Sequence, residues 1–285
     1  MTKSSLLLRG ITFSGSIYRG QLADTLHQAT KLLSASGAFD VHSCQEIVWQ
    51  PAAPLDIGRW NSVATSTRRL RREVYRDATE YLHQRFGFQS RSMSSRVAQL
   101  LREDRSFGSE PRQGAEYTWK GTFLLDKHLR AWSDLLNSDC GFLLVFEDDA
   151  LISADEQSVF QEFLPEVLGE GPEKTDYVDL CGFFDFREIF TQFDRAVLER
   201  HGDWYRIPLV TNTNCSYIIS RRLAGTFMEV LMAEPGMRRL NSDWLVNVLA
   251  SRVQPVSRPT VWMRFPGPVL NRSLSEERSQ LAGPH

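Results

Sequence analysis

The sequence predicts an α/β protein whose sheet is parallel in its first half and flanked by helices. Three observations predict it. Short apolar runs of strand length recur at "SLLLRG" (5–10), "FDVHSCQEIVW" (39–49) and "GFLLVF" (141–146). Stretches with apolar residues at helical spacing alternate with them. Turn and breaker residues fall between the two kinds of segment, a strand–helix alternation that calls for parallel pairing. A length of 285 residues holds one large domain or two small ones. We read a single domain over 1–285, a helical Arg-rich insert over 61–112 and a C-terminal tail over 265–285.

After the first strand, the loop "ITFSGSIYRG" leads into a helix carried by Leu22, Leu26, Ala29, Leu32 and Leu33, which Gly37 stops. "PAAP" (51–54) is a connector behind the second strand. Residues 61–112 then hold eleven arginines against six acids, in a pattern that suggests helices at about 63–86 and 92–104. This stretch is either a solvated helical face with i,i+4 ion pairs or a face that docks on anionic lipid or on substrate phosphates. Nucleic acid is not expected, because aromatics are sparse and no binding motif is present. "YTWKGTFLLDKHLRAWSDLLNSD" (117–139) is a helix that precedes the third strand. "ADEQSVFQEFLPEVLG" is a helix, "DYVDLCGFFDF" (176–186) a strand and loop, and "WYRIPLV" a strand. "CSYIISRRLAGTFMEVLMAE" passes from strand to helix. "NSDWLVNVLAS" is a short helix that Asn241, Ser242 or Asp243 can cap. "TVWMRF" is the last strand, before a tail broken by Pro and Gly.

Composition excludes several classes. A formal net charge of −2 does not suit a polyanion binder. No apolar run approaches the roughly 18–20 residues that span a bilayer, and the N-terminus carries no signal-peptide pattern. Cys44, Cys140, Cys181 and Cys215 lie far apart, without a C-x-x-C pair. They are expected as buried free thiols in a reducing cytoplasm, with neither zinc nor disulfides. Cytoplasmic placement follows, at the inner face of the plasma membrane if 61–112 docks there.

The chemistry concentrates in "FLLVFEDDALIS" (142–153), where five apolar residues run into Glu147, Asp148 and Asp149. Like charges repel, and each resists leaving water. In an open α/β sheet such a strand end lies in the ligand crevice. Extended backbone turns Glu147 and Asp149 to one side and Asp148 to the other. Two carboxylates on one side attract a hard divalent cation, Mn²⁺ or Mg²⁺, which can also hold a diphosphate. The alternative is a helix N-cap by Asp148 or Asp149.

Together with "HLRAW" (His128 to Trp132) in the preceding helix, this stretch resembles the lipooligosaccharide and collagen galactosyltransferases of glycosyltransferase family 25. "CSYIISRRLA" (215–224) and "SDWLVN" (242–247) are similar to two further segments of that family. The likeness covers roughly 117–275. It implies a GT-A-type, Rossmann-like mixed sheet with the acids in the place of the Asp-x-Asp motif. It also implies a nucleotide-sugar donor, and a saccharide or lipid-linked saccharide acceptor in bacterial surface glycan synthesis. Galactose transfer with inversion is the favoured chemistry.

Residue by residue, the resemblance implies that Asp149 binds the metal and that Glu147 assists, through the metal's water or the ribose. Asp148 holds the turn or touches the donor. Asp243 is the candidate base, with capping as its other role, and Asp185 is the second candidate. His128 is either packed in its helix or in contact with the acceptor. Asn212 and Asn214 in "TNTNCS" form a turn or meet sugar hydroxyls. Arg264, with Arg272, is surface charge or neutralises diphosphate. Arg9 and Gly10 open the first loop toward the nucleotide, and the same "RGITFSGSIYRG" keeps open a metal-dependent nucleotidyltransferase acting on a sugar phosphate. A non-catalytic binding protein of the same fold is the third reading.

Overall fold

The computed structural model describes residues 3–49, 56–87, 111–182, 185–211, 214–240, 242–254 and 257–272. The side chains of 43–44, 49, 67–69, 71–72, 75, 111–118 and 243–244 lie outside that description. Strand β1 (Ser4–Phe13) is followed by α1 (Arg19–Ala35), β2 (Phe39–Trp49), α2 (Ile57–Phe86) and α3 (Pro111–Leu136). Then come β3 (Phe142–Glu147), β4 (Ala150–Ile152), α4 (Leu164–Gly169), β5 (Tyr177–Asp179), α5 (Phe186–Ile189) and α6 (Phe193–Ala196). β6 (Glu199–His201) and β7 (Trp204–Pro208) form a hairpin, and β8 (Ser216–Ser220) leads into α7 (Arg221–Ala233). α8 (Ser242–Val253), β9 (Thr260–Met263) and β10 (Val269–Asn271) complete the described chain.

Eight strands form one mixed sheet in the order β2-β1-β3-β8-β5-β9-β7-β6, and β10 pairs with β4 beside it. The fold is α/β, as expected. The pairs β1–β2 and β1–β3 are parallel. β8 then enters antiparallel between β3 and β5, so β5 and its parallel neighbour β9 run in the direction of β3. The carboxyl ends of β1, β2, β3, β5 and β9 therefore share one edge with the starting ends of β8 and β7.

Alternation along the central strands supplies two cores. Leu6, Leu8, Phe142, Leu144, Phe146, Val178 and Ile218 pack on one face against α1 and the 159–169 helical segment. Leu7, Leu143, Val145, Tyr177, Tyr217 and Ile219 pack on the other face against α2, α3, α7 and α8. The first half of the Arg-rich stretch belongs to that second core. Val74, Ala78, Tyr81, Leu82 and Phe86 of α2 are buried in it, and the Tyr81 hydroxyl donates to Leu209 O at 3.1 Å. Asp56 caps α2 by accepting from Arg59 N. Gly87 ends it at φ 65°, where a left-handed residue closes the last turn. The helix expected at about 92–104 lies outside the described residues.

Other boundaries moved for local reasons. β1 continues to Phe13 because Ile11, Thr12 and Phe13 still pair with β2, so Arg9 and Gly10 lie within the expected strand but not at its end, and they do not open the following loop. The 154–169 stretch is a 3₁₀ turn, a π turn at Val159–Phe163 and α4, with Pro165 at the start of α4. No described helix is long and apolar enough to cross a membrane.

Candidate functional site

The acids sit at the carboxyl edge of the sheet, between β1 and β8. Burial of Phe142 through Phe146 fixes β3 in the sheet centre. Glu147 is its last residue, its N–H donating to Cys215 O at 2.8 Å. Asp148 and Asp149 form the turn to β4. Three neighbours pin that turn. Thr12 Oγ1 of β1 donates to Asp148 Oδ2 at 2.8 Å. The Cys215 thiol lies 3.7 Å from Asp149 Oδ1. Arg272 N donates to Asp149 O at 3.0 Å, just beyond the β10–β4 pairing.

From the helical side, α3 presents Lys127 and His128. Lys127 is 6% exposed, and its Nζ donates to Thr12 O at 3.3 Å, 5.9 Å from the centre of the Phe13 ring. Burial pulls this ammonium below its ordinary value, and the charges of Glu147 and Asp148 oppose that pull. His128 is 1% exposed. Its Nε2 lies 3.0 Å from Glu147 Oε1 and its Nδ1 2.9 Å from the Tyr217 hydroxyl. Trp132, one turn along α3, donates from Nε1 to the same hydroxyl at 3.0 Å.

Glu147 keeps only 16% of its side chain exposed. Burial first, then the Asp149 charge and more weakly Asp148, raise its pKa to about 8, and Lys127 works in the opposite sense. The Asp149 and Asp148 share of the rise is the repulsion that a divalent cation would relieve. Among the described residues, no three His, Cys, Asp or Glu side chains are gathered into a metal cage. Two oxygen ligands are nevertheless what Mg²⁺-type sites commonly take from a protein, the rest being water and substrate phosphate. Glu147 and Asp149, near enough for the Asp149 charge to raise Glu147, are the oxygen donors such a cation would use.

The other expected residues lie at varied distances from this chemistry. Arg9 is buried and donates from Nε to Asp134 Oδ2 of α3 at 2.8 Å. A Cβ on Gly10 would meet Leu26 Cδ1 at 2.8 Å and Leu22 within 3.1 Å, so glycine there lets α1 lie close on β1. Neither is in a phosphate-binding loop. Asp185 caps α5 and is held by Arg187 on both oxygens. That pairing holds its carboxyl below the usual range and weakens it as a base. Asn214 is buried, with its Nδ2 donating to Ser242 O, and its Oδ1 accepts from the Tyr177 hydroxyl at 3.4 Å. It thereby ties the start of α8 to the start of β8. Asp243 follows Ser242 in α8; its side chain lies outside the described residues, as does Asn212. Arg264 pairs with Glu156 and covers the Trp204 ring at 5.6 Å.

Sequence reasoning missed Lys127, Thr12 and Cys215 as partners of the acids and Tyr217 as the partner of His128. A lysine inside an amphipathic helix reads as surface charge, and only tertiary packing brings Lys127 under the acid turn. Tyr217 was within reach of the pattern, because "SYIIS" puts one aromatic among aliphatic strand residues. No protein-family model and no curated protein matches the chain.

Proposed function

We propose that this chain is a metal-dependent glycosyltransferase, moving a sugar from a nucleotide-sugar donor to a saccharide or lipid-linked saccharide acceptor. The observation that carries the reading is the Glu147–Asp148–Asp149 turn at the carboxyl end of a central strand, with Glu147 raised by burial and by Asp149. Asp149 and Glu147 are the residues that would hold Mn²⁺ or Mg²⁺, and the bound cation supplies charge neutralisation to a departing nucleoside diphosphate.

The chain's own residues set up the rest. Thr12 holds Asp148 out of the pair and fixes the turn. Lys127 adds a buried positive charge beside the acids and so favours a second negative group, the diphosphate. His128 orients Glu147 from the core, and its 1% exposure leaves it no surface for a sugar. Asn214 brings the first residues of α8 to the β8 edge, one residue from Cys215. Asp243, the second residue of α8, remains the proposed base that takes a proton from the acceptor hydroxyl. Asp185, already bound by Arg187, serves less well.

Sugar transfer from a panel of nucleotide sugars, with and without Mn²⁺, tests the reading. Transfer or donor hydrolysis that needs the cation and disappears in Asp149→Ala is the expected result. Glycosyl transfer that survives undiminished in Asp243→Asn removes Asp243 as base.

A further inference from the structure

Behind Glu147 runs a buried chain of polar groups: Trp132 Nε1, Tyr217 hydroxyl, His128 and Glu147 Oε1, at successive separations of 3.0, 2.9 and 3.0 Å. Trp132, Tyr217 and His128 are each 1% exposed. The direction of the protons along this chain follows from the chemistry of its first member. An indole N–H only donates, so the Tyr217 oxygen accepts from Trp132. Among the described residues, the acceptor left for the Tyr217 proton is His128 Nδ1. Burial pushes the phenol far above its ordinary value, so the hydroxyl keeps that proton. With Nδ1 accepting, a neutral imidazole carries its hydrogen on Nε2 and donates it to Glu147 Oε1.

We propose that Trp132 and Tyr217 are positioning residues that lock His128 in its Nε2–H form, so that Oε1 of Glu147 is permanently occupied and Oε2 is the oxygen presented to the ligand. The inference rests on Glu147 belonging to the cation site proposed above, and it deepens that reading by assigning the work to one oxygen. Whether Glu147 is ionised or protonated, Oε1 accepts from Nε2–H. Tyr217 is itself fixed by stacking on Tyr177, with ring centres 5.2 Å apart and planes at 10°, so the relay is built on β8 and α3 rather than on a loop.

The test begins with the wild-type chain. Long-range ¹⁵N–¹H correlation spectra report which imidazole nitrogen bears hydrogen, and His128 is assigned by its disappearance in His128→Gln. The expected pattern is a protonated Nε2 and a bare Nδ1; a protonated Nδ1 overturns the proposal, whatever the variants do. In Tyr217→Phe, His128 loses the donor at Nδ1, and the expected result is a mixture of both forms with Mn²⁺ binding weakened about tenfold, the usual range for a partner behind a metal ligand. An unchanged His128 pattern together with unchanged Mn²⁺ affinity overturns the positioning role. Trp132→Phe, read in the same two ways, stands in if Tyr217→Phe does not fold. Wild-type protein that shows the Nε2–H form yet binds no Mn²⁺ overturns the assignment of Oε2 to a cation, and the cation reading with it, while leaving the proton direction standing.

Discussion

β3 ends at Glu147 and β5 at Asp179, with β8 between them, on the same edge of one sheet. Asp179 is fully buried and accepts three hydrogen bonds, from Cys181 N at 3.0 Å, Gly182 N at 3.1 Å and Thr211 Oγ1 at 2.8 Å. Those bonds oppose the rise that burial imposes on its pKa. Glu147 has one described hydrogen-bond donor, His128, and the charges of Asp149 and Asp148 beside it. The first carboxylate has its partners within the fold. The second has only one such donor among the described residues and lies beside two further acids. The difference separates a carboxylate satisfied by the fold from one crowded by like charges, where we propose a cation binds.

The comparison can be broken from either side. The largest effect is expected at the closed end. Asp179→Ala strands three buried donors and should cost about 4 kcal/mol in urea unfolding. Next to it, a Cβ on Gly182 would collide with Arg264 O and lie 2.7 Å from Gly267 N, at φ 44°. Gly182→Ala should therefore cost about 3 kcal/mol. A loss below roughly 1 kcal/mol in Asp179→Ala would remove the contrast between the two carboxylates.

At the open end, Glu147→Gln should cost little stability and change the pH dependence. The folded pKa of Glu147 is about 8, above its ordinary value of 4.5. Below pH 4.5 both folded and unfolded chains hold the proton, and there is no penalty. As pH rises from 4.5 toward 8 the unfolded chain ionises first, so the folded state is progressively destabilised. The steepest slope a single group gives is about 1.4 kcal/mol per pH unit. Melting curves of wild type should therefore fall across that window relative to Glu147→Gln, and parallel curves would show that Glu147 is not strained. Thr12→Val is the smallest change, about 1 kcal/mol for the lost bond to Asp148. It should loosen the turn and weaken Mn²⁺ binding by a few-fold.

Much of this contrast could be read in the sequence, but unevenly. "FLLVF" followed by three acids announces both a buried strand and a charge problem, because apolar continuity and carboxylate repulsion are local. The split among the acids was an argument from extended backbone; the structure makes 148–149 a turn, and it is Thr12 that engages Asp148. Nothing in the sequence singles out Asp179, since its donors come from the following turn and from Thr211. Lys127 and Tyr217 acquire their roles only when α3 crosses the sheet and β8 inserts beside β3, and neither event leaves a periodic signal. Gly10 was expected at the strand end, opening toward the nucleotide; the strand runs three residues further, and the packing of α1 on β1 is what calls for glycine there.

The most direct test of the central claim is calorimetric titration of Mn²⁺ into the chain alone and with uridine, guanosine, cytidine or adenosine diphosphate, repeated with Asp149→Asn. Wild type should bind Mn²⁺, one diphosphate should tighten that binding, and Asp149→Asn should lose at least tenfold in affinity. Diphosphate binding that persists undiminished in a chelator and in Asp149→Asn would contradict a cation held by Glu147 and Asp149.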